Sequence, residues 1–274
     1  MLWESLTAPQ FEKAVADSKG VCVLPIGVLE KHGNHLPLGT DMYVATRVAA
    51  AAAALEAAIV FPYYFFGQIA EARHYPGTIA VSHKLMMEAL REVCDEIARN
   101  GLKKILILNG HGGNNHFLPF FAQEQPRLNR DYNVYVLNAG RLSGAQRKAL
   151  IKEVGTAEWG SHAGFAETSI LMHLKPELVH ASAQPMQEGE RLNRLPGMEE
   201  HGVFTGFNWY GNYPYHFAGD FTLASAAAGK LLFDAAVGNA AKAIAAIKDD
   251  DVSLGFVAEY AGYGDAPRAQ IAHK

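Results

Sequence analysis

Val21-Cys-Val-Leu-Pro-Ile-Gly-Val28 is the stretch that most limits what this chain can fold into. It carries no polar side chain, and an unbroken apolar run of this kind reads as a strand buried on both faces. Such strands belong to parallel sheets covered by helices on each side. Directly after it come Glu30-Lys-His32-Gly-Asn-His35-Leu-Pro-Leu-Gly-Thr-Asp41, which bring acids and histidines together within a dozen residues. Glu30 and His32 are two apart, so on an extended backbone their side chains project from the same face. Carboxylate and imidazole are the mixed donors that hold Zn²⁺, Mn²⁺ or Fe²⁺, and two of them aimed at one point seed a metal site.

The rest of the chain alternates between strand and helix patterns. Residues 41–58 read as an alanine-rich helix and 59–62 as a short strand. Ser82 is placed to cap a helix with Leu85, Met86, Ala89, Leu90, Val93 and Ile97 at helical spacing, and Asn100-Gly101 ends it. A strand over 104–108, a helix over 116–123 and a strand over 132–137 come next. Helical patterns follow at 145–154, 163–174 and 222–247. This alternation predicts a largely parallel sheet with helices on both faces. Residues 182–220 break it, being rich in Gly, Pro, Asn and aromatics; so long an irregular segment is usually a lid, a binding loop or a subunit contact. With no internal repeat and no low-complexity linker, 1–274 reads as a single domain, ending in a loosely held tail beyond Asp251.

A net charge of −4 without a basic patch argues against nucleic acid or an anionic membrane as partner. The first residues lack a charged segment followed by an apolar core, so they do not read as a secretion signal. The apolar run 48–61 is mostly alanine, is interrupted by Glu56, and is too weakly hydrophobic to span a bilayer. Cys22 and Cys94 lie in apolar surroundings and read as reduced core residues, which favours the cytoplasm.

Two further clusters carry chemistry. His111, in Asn109-Gly-His111-Gly-Gly-Asn114, follows the end of the 104–108 strand, where α/β sheets place their ligand sites. His162 and Glu167 lie in Trp159-Gly-Ser-His162-Ala-Gly-Phe-Ala-Glu167-Thr-Ser169. Glu71 and His74, ahead of Pro76-Gly77, either line a pocket or shape a turn. By alternation His35 faces away from Glu30 and His32, which leaves its role open. Trp159, Trp209, Tyr210, Tyr213 and Tyr215 offer an aromatic wall for a flat substrate or an interface surface. Gly112-Gly113 lacks the Lys and Ser/Thr that a phosphate-binding loop would add, so nucleotide binding is not indicated.

Taken in order, Leu24 to Asp41, His74 to Thr78, Asn109 to Asn114 and His162 to Ser169 closely resemble the motifs of the creatininase (creatinine amidohydrolase) family. Gly219-Asp-Phe-Thr-Leu-Ala-Ser225 is similar to that family's entry to its last long helix. The resemblance implies a three-layer α/β/α sandwich with a mostly parallel central sheet, two divalent metal ions (Zn, Mn or Fe) and assembly as a homohexamer. It implies Asp41 as a carboxylate bridging the metals, Glu30 and His111 on one ion, and His32 and Glu167 on the other. It implies His162 and Glu167 as catalytic residues, the histidine stabilising a tetrahedral oxyanion or passing a proton to the leaving nitrogen. Three carboxylates against four positive charges leave room for one bridging hydroxide, which metal coordination makes available at neutral pH.

Two positions depart from the pattern. Creatininases proper carry a glutamate ligand where this chain has Gly113, so the second metal is expected to lean on Glu167 or to be more weakly held. Many relatives have an acid where this chain has Phe165, which predicts a more apolar pocket on that side. The function implied is a metal-dependent amidohydrolase that cleaves a non-peptide C–N bond in a small cyclic amide, lactam or formamide. The rival reading is a catalytically inactive, metal-stabilised binding or scaffold member of the same family.

Overall fold

The computed structural model describes residues 1–155 and 162–262. Four strands, β1 (Val21–Ile26), β2 (Ile59–Val60), β3 (Lys104–Asn109) and β4 (Asn133–Asn138), form a parallel sheet in the order β2-β1-β3-β4. In chain order the helices begin with α1 (Ala8–Asp17), α2 (Thr40–Leu55), α3 (His83–Arg99), α4 (Asn114–Glu124) and α5 (Gly144–Val154). They are followed by α6 (Phe165–Leu174), the short α7 (Pro196–Glu200) and α8 (Asn208–Asn212), α9 (Ala226–Lys248) and α10 (Val252–Ala261).

Every residue of β1 and β3 is buried, and alternation along them sorts the core into two layers. Cys22, Leu24, Ile26, Ile105 and Ile107 pack against Ala14 of α1, Leu90, Cys94 and Ile97 of α3, and Leu118 and Phe121 of α4. Val21, Val23, Leu106 and Leu108 point the other way, onto Val48, Ala49 and Ala52 of α2 and Ala236, Ala240 and Ile244 of α9. Small alanine faces let these two helices lie close to the sheet. The result is the three-layer α/β/α sandwich. Cys22 and Cys94 are buried and unbridged, and burial pushes the Cys94 thiol up to about 12. Among the described residues no helix is long and apolar enough to cross a membrane.

The chain leaves β1 toward β2 and returns on the other side to β3, so the carboxyl ends of β1 and β3 flank a topological switch point. The first turn of α2 is drawn into that crevice. A β-carbon at Gly27 would meet the Met42 nitrogen at 2.6 Å, and one at Gly110 would meet the Asp41 carbonyl at 2.7 Å. Glycine at both strand ends is what admits Asp41 between them.

Most expected elements form within a few residues of their sequence bounds. The helix after Ser82 is α3, capped by the Ser82 hydroxyl, which accepts the Leu85 N–H at 3.3 Å. α2 stops at Leu55 because Glu56 is already extended. α6 begins at Phe165, two residues late, because Ala163 takes a left-handed φ of +54°. The tail expectation is corrected in part: Val252–Ala261 form α10, while residues 263–274 lie outside the described residues. The acidic run 249–251 is a tether, with Asp250 accepting from Tyr135 Oη at 2.9 Å and from Ser253 N–H at 2.9 Å, and Asp251 receiving Lys104 Nζ at 3.2 Å.

Candidate metal centre

Beyond β1 the backbone folds back on itself, the Glu30 N–H donating to the Leu38 carbonyl at 3.0 Å and the Leu36 N–H to that of His32 at 3.3 Å. This closed loop holds Glu30 and His32, both fully buried, at the strand's carboxyl end. Asp41 is the second residue of α2, His111 follows β3, and Glu167 lies in the first turn of α6. Four separate segments therefore converge. His111 Nδ1 lies 2.8 Å from Glu30 Oε1 and 2.9 Å from Asp41 Oδ2. His32 Nε2 lies 3.1 Å from Asp41 Oδ1, 3.8 Å from Glu167 Oε2 and 3.9 Å from Glu30 Oε1. Each Asp41 oxygen thus faces a different imidazole. Among the described residues, Glu30–Asp41–His111, His32–Asp41–Glu167 and Glu30–His32–His162 each bring their donor atoms within 4.8 Å of one another.

The far side of each ring fixes which nitrogen faces the acids. His111 Nε2 is 2.7 Å from the Gln68 carbonyl, and His32 Nδ1 is 3.3 Å from the Glu30 carbonyl. A carbonyl only accepts, so those nitrogens carry the hydrogens and the opposite nitrogens turn to the carboxylates. That is the arrangement by which outer hydrogen bonds orient metal-binding histidines. Glu30 Oε1 and Asp41 Oδ2 are buried with no well-aligned hydrogen-bond donor, despite their closeness to His111. Buried acid oxygens left this way are costly unless a cation sits among them. The donor set of carboxylates and imidazoles suits Zn²⁺, Mn²⁺ or Fe²⁺.

Without a metal, protons take over part of that charge. Burial opposes the imidazolium of His32, but Asp41, Glu30 and Glu167 outweigh it and lift the group to about 10. Burial likewise works against a charged His111, and Glu30 and Asp41 hold it well above the usual range. Burial would raise Glu30, yet the nearby His111 and His162, with contacts from His111 and His216, hold it well below. Glu167 goes the other way: burial, aided by Asp41 and Glu30, raises it to about 7 despite His32.

His162 sits against this cluster, its ring 4.2 Å from that of His32. Its Nε2 donates to the Lys31 carbonyl at 2.8 Å, which leaves Nδ1 as an acceptor. Burial, reinforced by His32 and His216, pushes it down to about 3, so it is neutral. With its hydrogen committed to the Lys31 carbonyl, the neutral ring has none to offer an oxyanion. The left-handed turn at Ala163 then points its N–H at Glu167 Oε2, 2.5 Å away.

Sequence reasoning passed over His216. Its Nε2 is 2.5 Å from Glu30 Oε2, and its Nδ1 accepts the Trp209 indole N–H at 3.0 Å. Only its place at the end of an aromatic run in the irregular 182–220 segment hinted at a role. No spacing rule links positions 186 residues apart.

Other singled-out residues go elsewhere. His35 stacks on Phe221 at 4.1 Å and donates to Thr168 Oγ1 at 3.0 Å, propping the turn before α6 and taking no part in the donor cluster. His74 is exposed beside Tyr75, and Gly77 with φ +81° makes the stretch a turn. Phe165 corrects the expectation of an apolar pocket wall there, since it is buried against Leu36, Phe217 and Phe221 in a core cluster. Of the aromatic wall, Trp209 meets the ring of His162 at 5.6 Å and packs on Tyr213 at 5.0 Å. Tyr210 and Tyr215 are exposed, and Trp159 lies outside the described residues. Beside the centre opens a pocket of about 330 Å³, whose lining includes Asp41, His162, Glu167, Val44, Ile170 and Arg147.

A parallel α/β sandwich with buried acids and histidines at its switch point defines an α/β/α protein with a metal-type donor cluster. The particular family follows from comparison. The creatininase family, described as creatinine amidohydrolase, matches residues 4–244, and the chain belongs to it. Creatinine amidohydrolase of Pseudomonas putida is 29% identical over 188 residues, covering 64% of this chain and 72% of that protein. Mycofactocin precursor peptide peptidase of Mycolicibacterium smegmatis is 31% identical over 226 residues, covering 77% of this chain and 78% of its own length. A solved creatininase structure, described as its Mn form, superposes with a TM-score of 0.71 at 24% identity, covering 89% of this chain and 96% of that one.

Proposed function

We propose that this protein is a metal-dependent hydrolase that cleaves a carbon–nitrogen bond in a small amide, lactam or formamide. The observation that carries the reading is the position of Asp41, which offers one oxygen to the Glu30–His111 side and the other to the His32–Glu167 side. Glu30, Asp41 and His111 would hold one divalent ion, and His32, Asp41 and Glu167 a second. Such ions, when bound, supply Lewis acidity toward a carbonyl oxygen and lower the pKa of water. That solved relatives include a Mn form supports the metal assignment. That named relatives include an amidohydrolase and a peptide peptidase supports the bond type.

The chain's own residues supply the rest. His162, with Nε2 committed to the Lys31 carbonyl, would use Nδ1 to take a proton from the attacking water and return it to the departing nitrogen. Val44, Ala166 and Ile170 would shelter the reacting carbonyl from bulk water. Self-association belongs to the same reading: Phe204 and Phe207, 75% and 72% exposed, offer apolar surface for it, and sedimentation velocity tests it.

The deciding experiment measures metal content of protein purified without chelators and hydrolysis of a panel of formamides, lactams and creatinine. Two ions per chain with turnover of any panel member is the expected result. Tightly held metal without turnover on a broad panel would favour a non-catalytic family member.

A further inference from the structure

His216 touches the donor cluster from a part of the chain that none of the recognised motifs includes. We infer that His216 is a positioning residue for Glu30, held in the required tautomer by Trp209, so that the irregular 209–218 segment sets the geometry of one metal position. The inference rests on the reading of this cluster as a metal centre.

The hydrogen-bond roles along the chain of contacts are unambiguous. An indole N–H can only donate, so His216 Nδ1, 3.0 Å from Trp209 Nε1, must be the accepting nitrogen. The remaining hydrogen of the neutral ring then lies on Nε2 and points at Glu30 Oε2, 2.5 Å away. With Oε2 occupied, Glu30 presents Oε1 alone to the point it shares with His111 and Asp41. A carboxylate tied at one oxygen cannot swing into a two-oxygen grip, which keeps the donor count and direction fixed.

The backbone around His216 is held on both sides. Its N–H donates to the Tyr213 carbonyl at 3.0 Å, and its carbonyl accepts from Gly33 N–H at 3.1 Å, which joins it to the Glu30–His32 loop. Two residues on, Ala218 pairs with the His162 backbone, its N–H donating at 3.0 Å. His216 itself is 3% exposed and takes φ +54°, a left-handed conformation that histidine adopts at a cost. A buried, polar, conformationally unfavourable residue is retained where its side chain has a partner to serve. That partner is a metal-type carboxylate. Trp209 also lies edge-on to His162 at 5.6 Å, so one segment braces both the donor and the proton-accepting histidine.

The test uses the full chain and Zn²⁺ alone, with affinity read by chelator competition and turnover read separately. His216→Ala is expected to weaken one of two Zn²⁺ ions by roughly 10–100-fold, the loss typical when an outer partner of a ligand is removed, while the other ion changes little. His216→Gln, whose amide N–H can still reach Glu30 Oε2, should recover most of that affinity. Trp209→Phe keeps the ring but removes the donor, and should weaken the same ion severalfold. A purely structural role would instead lower the melting temperature of the Ala and Gln variants alike without separating the two ions. Wild-type Zn²⁺ affinity in folded His216→Ala overturns the inference, as does His216→Gln damaged as badly as the alanine variant. If His216→Ala does not fold, unchanged affinity in Trp209→Phe overturns it. Failure of the wild type to bind Zn²⁺ sinks the metal centre and this inference together. Zn²⁺ binding without hydrolysis sinks only the proposed activity.

Discussion

The Nε2 edge of the His111 imidazole fills the space that a β-carbon at Gly113 would need. The Gln68 carbonyl, which accepts from that same Nε2, lies 2.6 Å from the point a β-carbon would occupy. A glutamate side chain at this position therefore cannot be added to this backbone without breaking the bond that orients His111. Gly113→Glu is expected to lower metal affinity by about tenfold or more and to lower the melting temperature, because an outer hydrogen bond is exchanged for a clash. Metal titration alongside thermal melting checks this; tighter binding in the variant would show that the loop relaxes to accept a further ligand.

Asp41 is the position at which both proposed ions meet, with Oδ1 facing His32 at 3.1 Å and Oδ2 facing His111 at 2.9 Å. Asp41→Asn keeps the shape but replaces one acceptor by an N–H and removes the charge. Both ions should be lost or weakened, and turnover should fall by roughly a hundredfold or more because nucleophile and Lewis acid go together. Full metal content with normal turnover in the purified variant would remove Asp41 from the shared position.

Much of this centre was legible in the sequence because its donors sit at strand ends or helix starts that short-range patterns locate. Glu30 and His32 follow the most apolar strand, Asp41 opens an alanine-rich helix, and His111 follows the next buried strand. Period-two and period-3.6 patterns place such residues well. His216 was not legible, since it reaches Glu30 through a segment whose shape comes from individual loop hydrogen bonds. Phe165 misled for a related reason: the left-handed turn at Ala163 rotates the start of α6, which buries Phe165 and sends Glu167 to the site. The hold on the chain at 249–251 was not legible either, because its partners, Tyr135 and Lys104, lie on strands far away in sequence.

Metal loading should release protons. In the metal-free protein His32 keeps its proton up to about 10, His111 holds one well above the usual range, and Glu167 is half protonated near 7. Ligands bind only when deprotonated. The sign follows: lowering pH adds competing protons and weakens binding, and raising pH from 6 toward 9 tightens it. With one imidazolium to deprotonate, apparent affinity should rise about tenfold per pH unit for the ion on Glu30, Asp41 and His111, and more steeply below about 7 for the ion on His32, Asp41 and Glu167, where Glu167 gives up a second proton. Calorimetry in buffers of different ionisation enthalpy counts the protons directly. An affinity independent of pH across that window would contradict protonated His32 and His111 in the metal-free protein.

His162 offers the cleanest separation of binding from chemistry. Its Nε2 is committed to the Lys31 carbonyl at 2.8 Å, so any proton it moves is carried at Nδ1. His162→Ala should leave two Zn²⁺ ions bound with near wild-type affinity while kcat falls by roughly 10²–10⁴-fold, the range for a lost general acid–base group. KM should change little, because the lost interaction acts on the transition state and not on the bound amide. The alternative is built into the same geometry, since Glu30, His32 and His162 also bring donor atoms within 4.8 Å of one another. Were His162 a ligand, the alanine variant would lose an ion and kcat together. Metal analysis of that one variant, set beside its kcat, tells proton carrier from ligand.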